Sequence, residues 1–286
     1  MKIALPTESK QKLGGGFSFL KNLTAGLLAE GVEVVDWKKA DVVLIVGPTI
    51  ITKRLFQEIK DSGKKIVVRL DNIVRNSRNR GAGMSRMVKM ARNADKVVFQ
   101  SSWSKGLLSP FLLVDGPIIH NSVNEGIFRP EGPSIDFSMK GNPIYLYSRF
   151  SRDELKRWEK VYYDFIKISQ DNKDAFLAII GRFSDDLRKY NFDFYADEKY
   201  EYKGIINDAE YMARMYRGAD YLMAPYFQDC FSNSYIESLM CGCELYDPEL
   251  SGGTEEMINL WREKGREYFS LKRMTLDYLN VLNNDG

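Results

Sequence analysis

The chain has one histidine, His120, and three cysteines, Cys230, Cys241 and Cys243, with no C-x-x-C spacing. A single histidine excludes any multi-His metal centre. An odd number of cysteines without ligand spacing excludes a disulfide framework and a zinc site, which leaves a reducing cytoplasm as the default. No apolar run approaches the roughly 20 residues needed to cross a bilayer. The N-terminus, "MKIALPTESKQ", turns polar after five residues and so does not read as a signal peptide. The sequence has neither G-x-G-x-x-G nor G-x-x-x-x-G-K-[ST], so the dinucleotide and Walker fingerprints are both missing. No aspartate pair sits in a D-x-D loop, and no metal is expected.

What is present belongs to a folded, soluble chain of 286 residues, 44% hydrophobic and 28% charged, with net charge +2. The charge is uneven. Residues 64–105 carry eleven Lys or Arg (Lys64, Lys65, Arg69, Arg75, Arg78, Arg80, Arg86, Lys89, Arg92, Lys96, Lys105) against two acids, Asp71 and Asp95. Such a block is a solvated face or the footprint of an anionic partner.

Short apolar runs alternate with helical periodicity along the chain. "KIALP", "VEVVDW", "DVVLIVG", "KKIVVRL", "KVVFQSS" and "GPIIHNSV" read as strands in the first half. Leu20, Leu23, Leu27 and Leu28 mark a helix ending at Gly31, and residues 52–62 and 84–94 read as further helices. "RPEGPSIDFSMKGNP", with three prolines, reads as an interdomain linker and hinge. The pattern then restarts with "IYLYSRF", a helix over 153–168, "AFLAIIGRF", "YEYKGII", a helix over 208–217 and "ADYLMAP". Residues 254–265 and 270–282 are helical. Strand–helix alternation with nearly all-apolar strands implies parallel sheets covered by helices, in two doubly wound Rossmann-like α/β domains. The expected domains are 1–133 and 134–269, with the option that the final helix, 270–286, packs back on the first.

In open α/β sheets ligands bind beyond the carboxyl ends of the strands, where strand order reverses. Three stretches there carry chemistry. "KLGGGFSFL" puts Gly15 and Gly16 at a helix N-terminus, where backbone amides accept an anion, with a flexible loop as the equal alternative. "YSRFSRDELKRW" places Arg149 at a strand end, followed by Lys156 and Arg157; arginine grips phosphate oxygens in pairs and lysine supplies a point charge. By itself this pattern reads better as a solvated basic helix. "DCFSNSYIESLMCGC" is the strongest site. Ser232 or Asn233 caps a helix whose first amides form an anion site, Glu237 lies four residues after Asn233 on the same face, and Asp229 precedes the cap. Tyr235, Ile236, Leu239 and Met240 are its packing stripe, and the cysteines are small core residues. Gly252 and Gly253 in "LSGGTEEM" suit a turn or the approach of a ligand. His120 reads as structural.

These stretches together resemble the nucleotide-sugar-dependent glycosyltransferases of GT-B fold, in particular the retaining enzymes of family 4. "KVVFQSSWSKGLL" is similar to that family's "SxxSK" region, and "PIIHNSVNEGIFRP" to its "vIxNGVDxxxFxP" signature. "YSRF…K" resembles the strand whose Arg and Lys hold the donor diphosphate. "YEYKGIIND…YRGADYLMAP" follows its "vxfxGxv…yxxadxxvxPS" run, and "DCFSNSYIE" stands where the E-x7-E motif would be.

The resemblance implies a metal-independent, retaining hexosyl transfer with no cofactor, from a nucleoside-diphosphate sugar bound in a cleft between domains. Arg149 and Lys156 would grip the diphosphate, with amides of Ser232, Asn233 and Ser234. Glu237 would hold the ribose and Asp229 the transferred sugar. Gly204 and Ile205 would border the base, and Gly15 and Gly16 would approach the donor from the first domain. Asp71 is the nearest substitute for a histidine that many relatives carry and "VRLDNIVRN" lacks. An anionic acceptor, a membrane glycolipid or nucleic acid, would meet residues 64–105, making the protein cytoplasmic or peripheral to a membrane. Three departures favour a rival reading, an inactive nucleotide-sugar-binding protein: the first acid of the motif is Asp229 rather than Glu, the histidine is missing, and the chain is short for a two-domain enzyme of this fold. A sugar-nucleotide epimerase is a third reading.

Overall fold

A computed structural model describes residues 1–8, 15–71, 73, 81–151, 154–182 and 198–283. The chain divides into two compact units, Met1–Val123 with Glu255–Gly286, and Asn124–Thr254. The sequence boundaries at 133 and 269 therefore differ from the observed ones.

The first unit is built on a parallel sheet of five strands in the order β2-β1-β3-β4-β5. These are β1 (Lys2–Ala4), β2 (Glu33–Val34), β3 (Val42–Ile45), β4 (Lys65–Leu70) and β5 (Lys96–Phe99). Every residue of β3 is buried, as are Ile66 to Leu70 of β4, which is what helices on both faces of a parallel sheet require. Helices α1 (Gly15–Ala29), α2 (Lys53–Asp61), α3 (Gly81–Ala91) and α4 (Ser102–Leu112) follow successive strands. The Thr52 side chain caps α2 by accepting from Leu55 N at 3.1 Å, and Ser101 with Ser104 forms a capping box on α4. "GPIIHNSV" does not extend the sheet as a full strand; it contributes a single parallel bridge, Ile118 to Phe99.

The second unit has its own parallel sheet, in the order β10-β9-β6-β7-β8. Its strands are β6 (Ile144–Phe150), β7 (Phe176–Gly181), β8 (Tyr200–Gly204), β9 (Tyr221–Met223) and β10 (Glu244–Tyr246). Helices α5 (Trp158–Asp171), α6 (Ala209–Gly218) and α7 (Asn233–Met240) connect them. Counted from β6, the order is 5-4-1-2-3, so the direction of winding reverses between β6 and β9.

The stretch taken for a linker packs on this unit. Phe137 is buried against Phe176 at 6.0 Å, Ile135 N donates to Arg214 O at 3.0 Å, and Arg217 donates to the carbonyls of Pro133 and Arg129. β10 escaped the sequence pattern because it is a three-residue edge strand beginning on an exposed glutamate.

After the second unit, α8 (Thr254–Lys264) and α9 (Leu271–Asn283) complete the first one. α9 lies on α1, with Tyr278 edge-on to Phe19 at 5.6 Å. Gly26 lets the two helices close, because a Cβ there would stand 2.0 Å from Thr275 Oγ1. Among the described residues no helix is long and apolar enough to cross a membrane.

Candidate active site

At the winding reversal of the second unit, β6 carries a bulge. Tyr147 pairs with Ile179 but Phe150 with Gly181, so Ser148 and Arg149 fall where the register slips by one residue. A bulge leaves the ladder and re-aims side chains. Here it turns Arg149 toward the loop after β9. Gly181 has φ +147 and sits so tightly on β6 that a Cβ would lie 2.2 Å from Phe150 O.

Beyond β6 the chain makes a 3-10 turn, Glu154–Lys156, and Arg157 adopts a left-handed conformation before α5 starts. Buried Tyr147 donates to Lys156 O at 3.0 Å, and Phe227 N donates to Leu155 O at 2.9 Å. The turn is thereby fastened both to the sheet and to the β9–α7 loop. Lys156 Nζ lies 2.9 Å from Asp229 Oδ2, with the two side chains only 9% and 17% exposed. Arg149 Nη1 approaches the same oxygen at 3.7 Å. Both cations stand over the ring of buried Tyr226, Lys156 Nζ at 4.5 Å and the Arg149 guanidinium at 5.5 Å from its centroid.

Asp229 is held by its backbone as well. Gly253 N donates to its carbonyl at 2.8 Å, and Ser251 Oγ accepts from Gln228 N at 2.9 Å. Gln228 has φ +51. Gly252, at φ +69, comes so close that a Cβ would stand 2.4 Å from Asp229 O. The "SGGT" stretch is thus a clamp on the Asp229 loop.

Glu237, on α7, faces a polyhydroxyl wall. Tyr216 OH lies 3.4 Å from its Oε2 and 3.4 Å from Ser148 Oγ, and Ser148 Oγ lies 3.3 Å from Tyr226 OH. Burial lifts the Glu237 carboxyl to a pKa of about 7, although Arg149 and Tyr216 pull it down. Burial works against the Arg149 charge, but Asp229, Tyr226 and Glu237 more than offset it and hold its pKa above the ordinary value. Burial raises Tyr226 to about 12.

Ser232 occupies the N-cap position of α7 with no side-chain cap bond; its hydroxyl instead lies 3.2 Å from Ser234 Oγ. Ser232 and Ser234 are buried, as are Tyr235, Ile236 and Met240 of the packing stripe. Cys230, Cys241 and Cys243 are buried thiols that form no disulfide.

The structure thus brings Arg149, Lys156, Asp229 and Glu237 into one cluster, with Ser232, Asn233 and Ser234 opening the helix that carries Glu237. Gly204 ends β8 and Ile205 follows it, with β7 between β8 and β6; Gly204 has φ +74 and Ile205 is exposed. Sequence reasoning missed Tyr216, Tyr226, Ser148 and the Ser251–Gly253 clamp. Tyr216 in the last turn of α6, and Tyr226 between β9 and the acid Asp229, were the available signal.

In the first unit, Asp71 ends β4 and enters a glycine cradle. A Cβ on Gly47 would stand 2.5 Å from its Oδ2, and one on Gly16 would stand 3.7 Å from the same atom. Gly16 thus meets Asp71 at the start of α1, while a Cβ on Gly15 would meet nothing within 4 Å. His120 is held by side chains: Nε2 lies 2.6 Å from Glu256 Oε1 and Nδ1 2.6 Å from Tyr268 OH.

The basic block does not gather on one patch among the described residues. Arg69 is buried, donating to Val46 O, Gln100 and Asn121. Lys65 and Lys96 begin β4 and β5, with Lys64 just ahead of them, at the sheet edge opposite the strands' carboxyl ends. Lys105 pairs with Asp115 at 2.7 Å. Arg75, Arg78 and Arg80 lie outside the described residues.

No family model and no curated relative matches the sequence. Solved structures do match in fold. HepE from Anabaena in complex with UDP superposes with a TM-score of 0.68 at 13% identity, over 99% of both chains. The same protein with UDP-glucose gives 0.67 at 12% identity, over 98% of both chains. Sucrose-phosphate synthase from Thermosynechococcus elongatus gives 0.63 at 15% identity, covering 99% of this chain and 95% of the other. The chain has the α/β fold of the GT-B glycosyltransferases, two five-stranded parallel sheets with their helices.

Proposed function

We propose that the protein is a retaining glycosyltransferase of family 4 type that moves a sugar from a nucleoside-diphosphate sugar to an acceptor hydroxyl. One observation carries this reading: Arg149 and Lys156 converge at the winding reversal of the second sheet, beside the half-buried carboxyl of Glu237. Arg149 and Lys156 bind the diphosphate and stabilise it more strongly as charge grows on the leaving group. These two cations supply the charge compensation for which a divalent metal would otherwise be needed. Glu237 accepts the ribose hydroxyls, and the opening amides of α7 at Ser232, Asn233 and Ser234 face phosphate. Gly204 and Ile205 border the base. The acceptor oxygen bonds to the anomeric carbon on the face from which the phosphate oxygen leaves, and its proton passes to that phosphate.

HepE, a GT-B neighbour, has been captured with UDP, with UDP and glucose, and with UDP-glucose, which supports a uridine donor. An anionic acceptor, and with it attachment to a membrane surface, is supported by the composition of residues 64–105 and not by the placement of Lys64, Lys65 and Lys96. Asp71 acts near the transferred sugar in this reading.

The test is release of nucleoside diphosphate from a panel of sugar nucleotides with a broad set of acceptors, for wild type and Glu237→Ala. Transfer by wild type that Glu237→Ala lacks, with anomeric configuration kept in the product, supports the proposal. Binding without turnover favours an inactive sugar-nucleotide-binding protein, and product from donor alone favours an epimerase.

A further inference from the structure

The Asp229 carboxylate occupies the spot on which the two cations of the site converge, 2.9 Å from Lys156 Nζ and 3.7 Å from Arg149 Nη1. An anionic ligand reaching for those cations meets this carboxylate first. Asp229 has little freedom to withdraw. Its carbonyl is bonded by Gly253 N, the residue before it is left-handed and bonded to Ser251, and Gly252 packs against its peptide. The loop is also bonded to the Lys156 turn through Phe227 N and Leu155 O. The Asp229 backbone is therefore held in place, and its carboxylate is presented at the anion subsite between the two cations.

The charges have a consequence for ligands. The diphosphate of a sugar nucleotide is esterified at both ends and carries two negative charges. Free nucleoside diphosphate has a terminal phosphate that ionises again near pH ~6, adding a third. Two cations and one anion suit two charges better than three, and the third meets Asp229 at short range in a partly buried site.

We propose that Asp229 is a specificity-determining counter-ion, which yields part of the anion subsite to the donor's diphosphate and repels the extra charge of the released nucleoside diphosphate. This rests on the reading of the site as a diphosphate site. It differs from the sugar contact that the motif resemblance implies for Asp229, and it makes the residue a device for product release.

The experiment is calorimetric titration of wild type, D229N and D229S with UDP, UDP-glucose and inorganic pyrophosphate, at pH 7.5 and 5.5. At pH 7.5, D229N should bind UDP about 10-fold tighter than wild type or better, because one close like charge is gone. Pyrophosphate should tighten in parallel, and UDP-glucose should change less. The gain for UDP should shrink at pH 5.5, where the third charge is lost. D229S should repeat the pattern if the asparagine folds poorly. Wild type provides a check free of mutation, since its preference for UDP-glucose over UDP should narrow on acidification. UDP affinity unchanged or weakened in both variants, with UDP-glucose weakened, makes Asp229 a sugar contact and overturns the inference alone. Wild type that binds neither UDP, UDP-glucose nor pyrophosphate overturns the diphosphate reading as well.

Discussion

Lys156 Nζ and Asp229 Oδ2 lie 2.9 Å apart although 73 residues separate them in sequence. The lysine sits in a 3-10 turn pinned to β6 by Tyr147, and the aspartate in a loop clamped by Gly252 and Gly253. Replacing Lys156 by methionine keeps the stem packed and removes the charge. Binding of UDP or UDP-glucose should weaken on the order of 10- to 100-fold, as expected for a lost charge-assisted bond to phosphate. Stability should fall by about 1–3 kcal/mol, because Asp229 loses its nearest partner. Titration and urea unfolding measure the two effects separately.

Glu237 gives a pH signature. Its pKa is about 7 in the folded state against 4.5 ordinarily, so between those values the native protein holds a proton that the unfolded chain has released. The associated stability is fully present below pH 4.5, declines as pH rises, and is gone above about 7; its size is about 3 kcal/mol. Glu237→Gln should flatten that slope. Urea midpoints from pH 4.5 to 7.5 test this, and parallel curves for the two proteins would contradict it.

Gly252→Ala should be costly for two reasons acting together, the left-handed backbone and the contact with Asp229 O. A loss of about 1–3 kcal/mol is expected. Weaker UDP binding should accompany it, because the Asp229 loop must shift. Gly265→Ala, also left-handed at φ +66 but with nothing near its Cβ position, should cost stability while leaving UDP affinity unchanged.

Gly47→Ala should act through Asp71. The added methyl would stand 2.5 Å from Oδ2 and 2.8 Å from Cγ, so the carboxylate must leave its cradle. The turnover number should drop about 10-fold or more with little change in donor KM, consistent with a displaced group near the reacting centre. Gly106→Ala, in α4 with open space around its Cβ, should turn over like wild type.

Much of this was legible in the sequence because it depends on local pattern. Apolar runs such as "VVLI" and "FLAIIG" are what a parallel sheet covered on both faces needs, and they became β3 and β7. Arg149 and Lys156 read by themselves as a solvated basic face, and only the family resemblance drew them together with Asp229 and Glu237; the structure places the four in one cluster. The bulge at Ser148–Arg149 was not legible, since a register slip depends on what β7 offers opposite. Tyr216 and Tyr226 are core aromatics, and their hydroxyls matter only because folding brings them to Ser148 and Glu237. Sequence proximity within the basic block says nothing of which end of the sheet a lysine reaches, and Lys65 and Lys96, with Lys64 just ahead, lie at the amino ends of their strands. The proline-rich stretch at 129–143 looked like a linker for the same reason, while Phe137 and Ile135 anchor it to the second unit.

The most direct measurement is the thermal midpoint of wild type and Arg149→Ala against nucleosides, nucleoside monophosphates, diphosphates and diphosphate sugars. A ligand that binds only the folded state at a concentration of 100 Kd adds about 2.7 kcal/mol, a clear rise in midpoint. Diphosphates and diphosphate sugars of one base should stabilise the wild type, nucleosides and monophosphates of that base should do far less, and Arg149→Ala should lose the effect. No shift with any diphosphate, or an equal shift in Arg149→Ala, would contradict a diphosphate site at Arg149, Lys156 and Asp229.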